Sequence, residues 1–288
     1  SDAALGSMFT LSPSTEILDG ATQSATLDWS FDSDPESFDM LASGETFILT
    51  YTITATDDDA TLATDDTTFT LTITGSNDRP VISELTTAGV VQEDAGLTGN
   101  DVTFTGGFSV TDEDISDDIE ISVVVTAEQT SDVGGSGQRP ASLDTGLASA
   151  MGLSESLVSS TGARIDWTFT LSNSELQYLG FDDAVEVTYQ VTAEDTSARV
   201  NGVQDEPSST AQAVTITLSG TNDRPEVGVD TGDGNSATLA ETDAGLQTQA
   251  TLTVSDVDVY DVVRASVISV SPTGDTHELS ATDDLLPM

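Results

Sequence analysis

The chain has 288 residues, enough for about two domains of ordinary size. Asp and Glu number 51 against 6 basic residues, all of them Arg, for a formal net charge of −45. That balance excludes nucleic acid and anionic membrane surfaces as partners, because both are held by a basic face.

Self-repulsion on this scale opposes a compact state unless bound cations or a salty medium offset it. The chain has no Cys, so it has neither a disulfide framework nor a zinc–thiolate site. No apolar run approaches the ~18 residues of a membrane-spanning helix. The first residues carry no secretory signal pattern. That fits a cytosolic protein, a fragment, or an export signal placed elsewhere in a longer chain.

In chain order, alternating apolar positions predict strands at Phe47-Leu49-Tyr51-Ile53, Phe69-Leu71-Ile73, Ile119-Ile121-Val123-Val125, Val185-Val187-Tyr189-Val191, Val214-Ile216-Leu218, Leu252-Val254 and Val263-Val267. Thr fills many of the outward positions between them, as on a half-buried sheet. Residues 35–44, 141–154 and 173–180 predict short helices or turns. Short strands with turn residues at this density predict an all-β chain, an antiparallel β-sandwich of Ig or cadherin type.

The sequence repeats itself. "GSNDRP" at 75–80 returns as "GTNDRP" at 220–225, 145 residues on. Trp29 in "LDWSF" and Trp167 in "IDWTF" are 138 apart, as are Tyr51 and Tyr189 at the heads of "YTITATDDD" and "YQVTAEDTS". The seven-residue difference is absorbed by a longer polar loop, "SARVNGVQDEPSS", in the second copy. Downstream, Asp112 and Asp114 match Asp256 and Asp258 at an offset of 144, and "EDAGL" at 93–97 parallels "ETDAGL" at 241–246. Residues 1–80 read as the back of one repeat, 81–225 as a complete repeat, and 226–288 as the front of the next. The chain reads as a window cut from a longer array. Neither end piece holds a full core, so one copy's 226–288 completing another's 1–80 is a second expectation beside a continuous array.

Acidic residues gather at four places in each repeat. These are Glu93 with Asp94 and Glu241 with Asp243, then Asp112/Asp114 and Asp256/Asp258. The third is the run Asp57-Asp58-Asp59 with its counterpart Glu194-Asp195, and the fourth is Asn77-Asp78 with Asn222-Asp223. Alternate residues of an extended segment point the same way, so Asp-x-Asp aims two carboxylates at one point. Oxygen-only ligands at such sites suit Ca2+, which takes six to eight oxygens at about 2.3–2.6 Å. Taken alone, any one of these runs reads as a solvated loop. Their recurrence in one order is what makes them a calcium candidate. Pro80 and Pro225 keep the preceding Arg extended, which makes Asn-Asp-Arg-Pro a stiff connector carrying its own oxygens. Asp112-x-Asp114 has neither the Gly nor the Glu of an EF-hand loop, and "TGDGNSATL" at 231–239 does not match a calcium β-roll repeat.

The "YxxTAxD" strand followed by "GTNDRP" resembles the VCBS and bacterial cadherin-like repeats of giant secreted adhesins, whose usual phrase ends Asn-Asp-Ala-Pro. The resemblance spans essentially the whole chain, with Arg79 and Arg224 in place of Ala. It implies tandem Ig/cadherin-like sandwich repeats joined by calcium-binding linkers, on the bacterial cell surface, with export by a type I route. The order of acids is similar to that of cadherins, which implies Ca2+ between successive domains. Carried across, one junction joins Asp57, Asn77 and Asp78 to Asp112 and Asp114. The next joins Glu93, Asp195, Asn222 and Asp223 to Asp256 and Asp258.

The chain reads as non-enzymatic. Its single His, His277, sits in a polar segment, and no Gly-x-Ser-x-Gly or phosphate-binding loop occurs. Acid pairs able to cleave glycosides are inevitable by chance in so acidic a chain. Trp29 and Trp167 are expected in the core rather than as sugar platforms, because they recur beside strand hydrophobes. The expected role is a Ca2+-rigidified extender whose neighbours are other repeats. The alternative is a Ca2+-dependent sugar- or peptide-binding module, with the insert "EQTSDVGGSGQRPASLD" at 128–144 shaping its site.

Overall fold

The computed structural model describes residues 2–15, 17–18, 20–34, 37–58, 61–130, 140–195, 199–200, 203–204, 209–242, 244–258 and 261–274. Asp59, Asp243, His277, most of the insert at 128–144 and most of the loop at 197–209 lie outside the described residues. The chain is all-β in character. In order it runs α1 (Asp2–Ser7), β1 (Phe9–Ser12), β2 (Asp28–Phe31), β3 (Thr46–Thr56), β4 (Thr64–Thr74), β5 (Val81–Ser83), β6 (Ala88–Gln92), β7 (Asp101–Thr111) and β8 (Asp118–Thr130). It continues with α2 (Ala141–Ala150), β9 (Met151–Leu153), β10 (Leu157–Ser159), β11 (Ala163–Ser172), β12 (Ala184–Asp195), β13 (Arg199–Val200), β14 (Val203–Gln204), β15 (Ser209–Ser219), β16 (Glu226–Gly228) and β17 (Thr253–Ser255).

The middle of the chain holds the main core. A five-stranded sheet, β10-β8-β12-β15-β6, faces a four-stranded sheet, β5-β7-β11-β9. Neighbours in both are antiparallel except β6, which runs parallel to β15. Alternation decides which side chains go inside. Val185, Val187, Tyr189, Val191 and Ala193 of β12 are buried, and so are Ile165, Trp167, Phe169 and Leu171 of β11. Phe169 meets Tyr189 edge-on across the two layers, with ring centroids 6.2 Å apart. Helix α2 buries Leu143, Leu147 and Ala150, and Tyr189 donates its hydroxyl to the Leu147 carbonyl at 2.8 Å.

Residues 2–75 repeat the later part of that unit. Strand β1 pairs with β2 in the manner of β9 with β11, and β3 pairs with β4 in the manner of β12 with β15. Even the tyrosine contact recurs: Tyr51 donates to the Leu5 carbonyl of α1 at 3.1 Å. Both copies end at a glycine that only glycine fits. A Cβ on Gly75 would lie 2.1 Å from the Leu41 carbonyl oxygen, and one on Gly220 would lie 2.2 Å from that of Leu179. The Gly that opens "GSNDRP" and "GTNDRP" is thus a packing requirement at the end of a strand.

Two strand-level expectations fail. Val263–Val267 forms no strand: no strand among the described residues pairs with it, and a lone strand leaves its backbone groups unpaired. Trp29 is 51% exposed, whereas Trp167 is 1% exposed. Trp167 lies under β7, where Gly106 has no Cβ to displace the ring. Strand β2 has no such covering strand among the described residues, and Trp29 stacks on Phe9 and meets Phe69 at a tilt.

Candidate metal centres

Two acidic clusters sit at opposite ends of the middle unit. Strand β12 runs the length between them; its 12 residues span about 36 Å at ~3.3 Å per residue.

At the first end the connector meets the loop between β7 and β8. The Asp78 N–H donates to Asp114 Oδ2 at 2.8 Å, and the Asp114 N–H donates to Asp112 Oδ1 at 3.1 Å. The Asn77 amide donates to Asp195 Oδ2 at 3.1 Å and also to the Asp78 carbonyl. Ser160 braces the loop, since its carbonyl accepts from the Asp112 N–H and its N–H donates to the Asp117 carbonyl. Asn77, Asp114, Asp117 and Asp195 are all buried.

The second end repeats the pattern 144–145 residues on. The Asp223 N–H donates to Asp258 Oδ2 at 2.7 Å, the Asp258 N–H donates to Asp256 Oδ1 at 3.1 Å, and the Asn222 amide donates to the Asp223 carbonyl. Here Glu93 adds a fully buried carboxylate. It accepts from the Thr221 N–H at 3.2 Å and from the Gln177 amide. Carboxylate oxygens of Glu93, Asp94 and Asp223 lie within 4.8 Å of one another. Asn173 and Gln177 also hold Asp94.

Burial and like charge drive these carboxyls toward their neutral form. Glu93 is pushed up to about 8, mainly by burial and then by Asp223, Asp94 and Asp258; the Thr221 N–H acts the other way. Asp114 is pushed up to about 6 by burial, with Asp112, Asp117 and Asp78 adding to it against the Asp78 N–H. Asp195 rises strongly through burial and the adjoining Asp112 carboxyl. Asp78, Asp223 and Asp258 rise for the same first reason.

Several carboxylate oxygens are buried with no hydrogen-bond donor: Asp112 Oδ2 and Asp114 Oδ1 at the first end, Asp223 Oδ2 and Asp258 Oδ1 at the second. An unsatisfied buried oxygen is costly. A hard cation with oxygen ligands would satisfy them, and the donor set contains no sulfur or imidazole. The residues present fit Ca2+ in kind.

The grouping of ligands differs from the expected one in two places. Asp195 joins Asn77, Asp112 and Asp114 at the first end, not Glu93 and Asp223 at the second, because β12 carries it the full length of the unit away. Asp57 does not join Asn77 and Asp78. It lies past the far end of β3, where its carboxylate accepts from the Ala63 N–H at 3.0 Å in an exposed loop. Asp57 and Asp195 are equivalent residues, and each stands at the end of its unit away from the following connector. Asn77, Asp78, Asp112 and Asp114 do come together, as do Glu93, Asp223, Asp256 and Asp258. Asn222 lies on the second connector and is exposed. Asp117 and Asp94 were not among the expected ligands. Asp117 has a signal in the repeat, since Asp261 follows it at the same offset of 144.

No family model matches the chain, and no curated protein matches it. Among solved structures it is similar to AggA, the major subunit of aggregative adherence fimbriae type I from Escherichia coli. The TM-score is 0.30 at 9% identity, covering 50% of this chain and 97% of that one. No helix among the described residues is long and apolar enough to cross a membrane.

Proposed function

We propose that the chain is a calcium-stiffened extender, built of tandem Ig/cadherin-like sandwich repeats, of a large bacterial cell-surface adhesin. It acts without enzymatic activity and holds a distal binding domain away from the cell. The observation that supports this most is the duplicated connector contact, Asp78 N–H to Asp114 and Asp223 N–H to Asp258. In both places it leaves the second oxygen of the acceptor Asp buried and without a donor.

At the first junction Asn77, Asp78, Asp112, Asp114, Asp117 and Asp195 would hold the ion. At the second, Glu93, Asp94, Asp223, Asp256 and Asp258 would do so. A bound Ca2+ supplies positive charge and oxygen coordination that tie connector to loop. The protein's own part is to present these carboxylates from rigid strand ends. Without the ion they repel one another across the connector, which loosens it. At free Ca2+ of 10–100 times the dissociation constant, each ion would stabilise the bound form by roughly 1.4–2.7 kcal/mol. Isothermal calorimetry on the wild type and on Asp114→Asn and Asp258→Asn tests the assignment. Each variant is expected to lose the heat of one junction and keep that of the other. Undiminished heats in both variants would refute it.

A further inference from the structure

The chain enters the middle unit at one end and leaves it at the other. Strands β5 and β6 follow the first connector, and β15 leads straight into the second. Strand β12 ends beside the first connector, and β15 is antiparallel to it, so β15 runs from the first end toward the second. Strand β6 is parallel to β15 and runs the same way. Tension along the chain therefore draws β6 back toward the first end and β15 on toward the second. The two strands are pulled lengthwise past each other.

That direction decides how the ladder fails. Its rungs run across the strands, so a lengthwise pull loads them all at once, whereas lifting one end opens them in turn. Strands β6 and β15 share five register pairs, from Ala88 opposite Thr215 to Gln92 opposite Ser219. Backbone bonds close the ladder at both ends. The Thr215 N–H donates to the Thr87 carbonyl, and the Glu93 N–H donates to the Ser219 carbonyl, each at 2.9 Å. The Glu93 carboxylate then accepts from the Thr221 N–H at 3.2 Å, one step inside the connector. Behind this pair, β15 is anchored to β12 by eleven register pairs, so β6 is the side that gives first. Strand β5 adds a shorter grip of three pairs with β7.

Side chains seat β6 as well. Val91 is buried in the core. Gly89 lies where a Cβ would come within 2.7 Å of the Phe104 ring and 2.9 Å of Ile216 Cδ1, so only glycine lets β6 lie this close to the core.

We propose that the parallel β6–β15 pair is a mechanical clamp, which carries tension through the middle unit and sets the force at which that unit gives way. The inference goes beyond the extender reading and does not rest on calcium, because the backbone pairs that form the clamp need no ion.

The chain has no Cys of its own, so pulling handles attach at chosen points. A full chain carrying Arg79→Cys and Arg224→Cys loads the pair lengthwise. A full chain carrying Leu97→Cys and Arg224→Cys loads the same pair from the end where both strands finish, and peels it. All three positions are exposed. Circular dichroism checks that both chains fold, and optical-tweezers pulling is run at one loading rate in chelator and in Ca2+. The first geometry is expected to yield in one major step that releases roughly 450 Å of chain. Its force is expected to be at least about twofold that of the second geometry in both buffers. Equal forces in the two geometries, or stepwise release without a major step in the first, would overturn the proposal. Gly89→Ala lifts β6 from its seat and is expected to lower the lengthwise force; an unchanged force in the folded variant would also overturn it. The comparison of geometries stands on chains that keep Gly89. None of these outcomes bears on the calorimetric test of the calcium junctions.

Discussion

Glu93 illustrates what each acidic residue contributes. It is fully buried beside Asp94, Asp223 and Asp258, and its carboxyl is held at about 8 rather than in the usual carboxylate range. A folded-state value above the unfolded one means that folding takes up a proton between the two. The stability associated with the neutral form is full below about pH 4.5 and is lost as pH rises through about 8; Asp114 behaves alike up to about 6. In chelator, therefore, the urea midpoint is expected to fall from pH 5 to pH 8. With Ca2+ present the proposed reading expects the order to reverse, because a cation bound there would favour the ionised form. Glu93→Gln separates the two effects in one residue. At pH 7 it is expected to stabilise the calcium-free protein by about 1–3 kcal/mol, since each tenfold change in the carboxyl's proton affinity is worth about 1.4 kcal/mol before solvent screening reduces it. The same variant is expected to weaken calcium binding at the second junction. Equilibrium unfolding with and without Ca2+ reads both.

At the scale of elements, the strand ends decide where the chemistry lies. Gly220 closes β15 against the Leu179 carbonyl, so Gly220→Ala forces a backbone shift where β15 enters the connector. Overpacking of this kind costs about 1–3 kcal/mol. Chemical denaturation should show that loss, together with weaker calcium binding, because Asn222 and Asp223 follow directly. Tyr189→Phe removes the hydroxyl contact to Leu147 and is expected to cost about 0.5–1.5 kcal/mol without touching either junction. The alternating runs at Phe47–Ile53, Phe69–Ile73 and Val185–Val191 announce their strands, because a half-buried sheet writes its burial at every second residue. The acids of the junctions are legible for a different reason, their recurrence at nearly fixed offsets. Which end each acid occupies is not legible. Asp57 and Asp195 match each other in sequence, yet only the direction and length of β12 reveal that Asp195 faces the preceding connector. Trp29 and Val267 are more exposed than their equivalents Trp167 and Val123, because burial depends on strands that neighbouring sequence does not report.

Over the whole molecule, a net charge of −45 is spread along a chain whose two most concentrated buried acid clusters stand at the ends of one unit. On the proposed reading, charge there governs how units are joined more than whether the middle unit folds, since its core of Trp167, Phe169, Tyr189 and their neighbours is apolar. Neutralising the connectors should therefore change shape more than secondary structure. The most direct test is small-angle scattering on the size-selected monomer during a Ca2+ titration. The account predicts that the maximum dimension increases and the ensemble narrows at the calcium concentrations where binding heat is released, with no change in strand content. The same maximum dimension in Ca2+ and in chelator would contradict it.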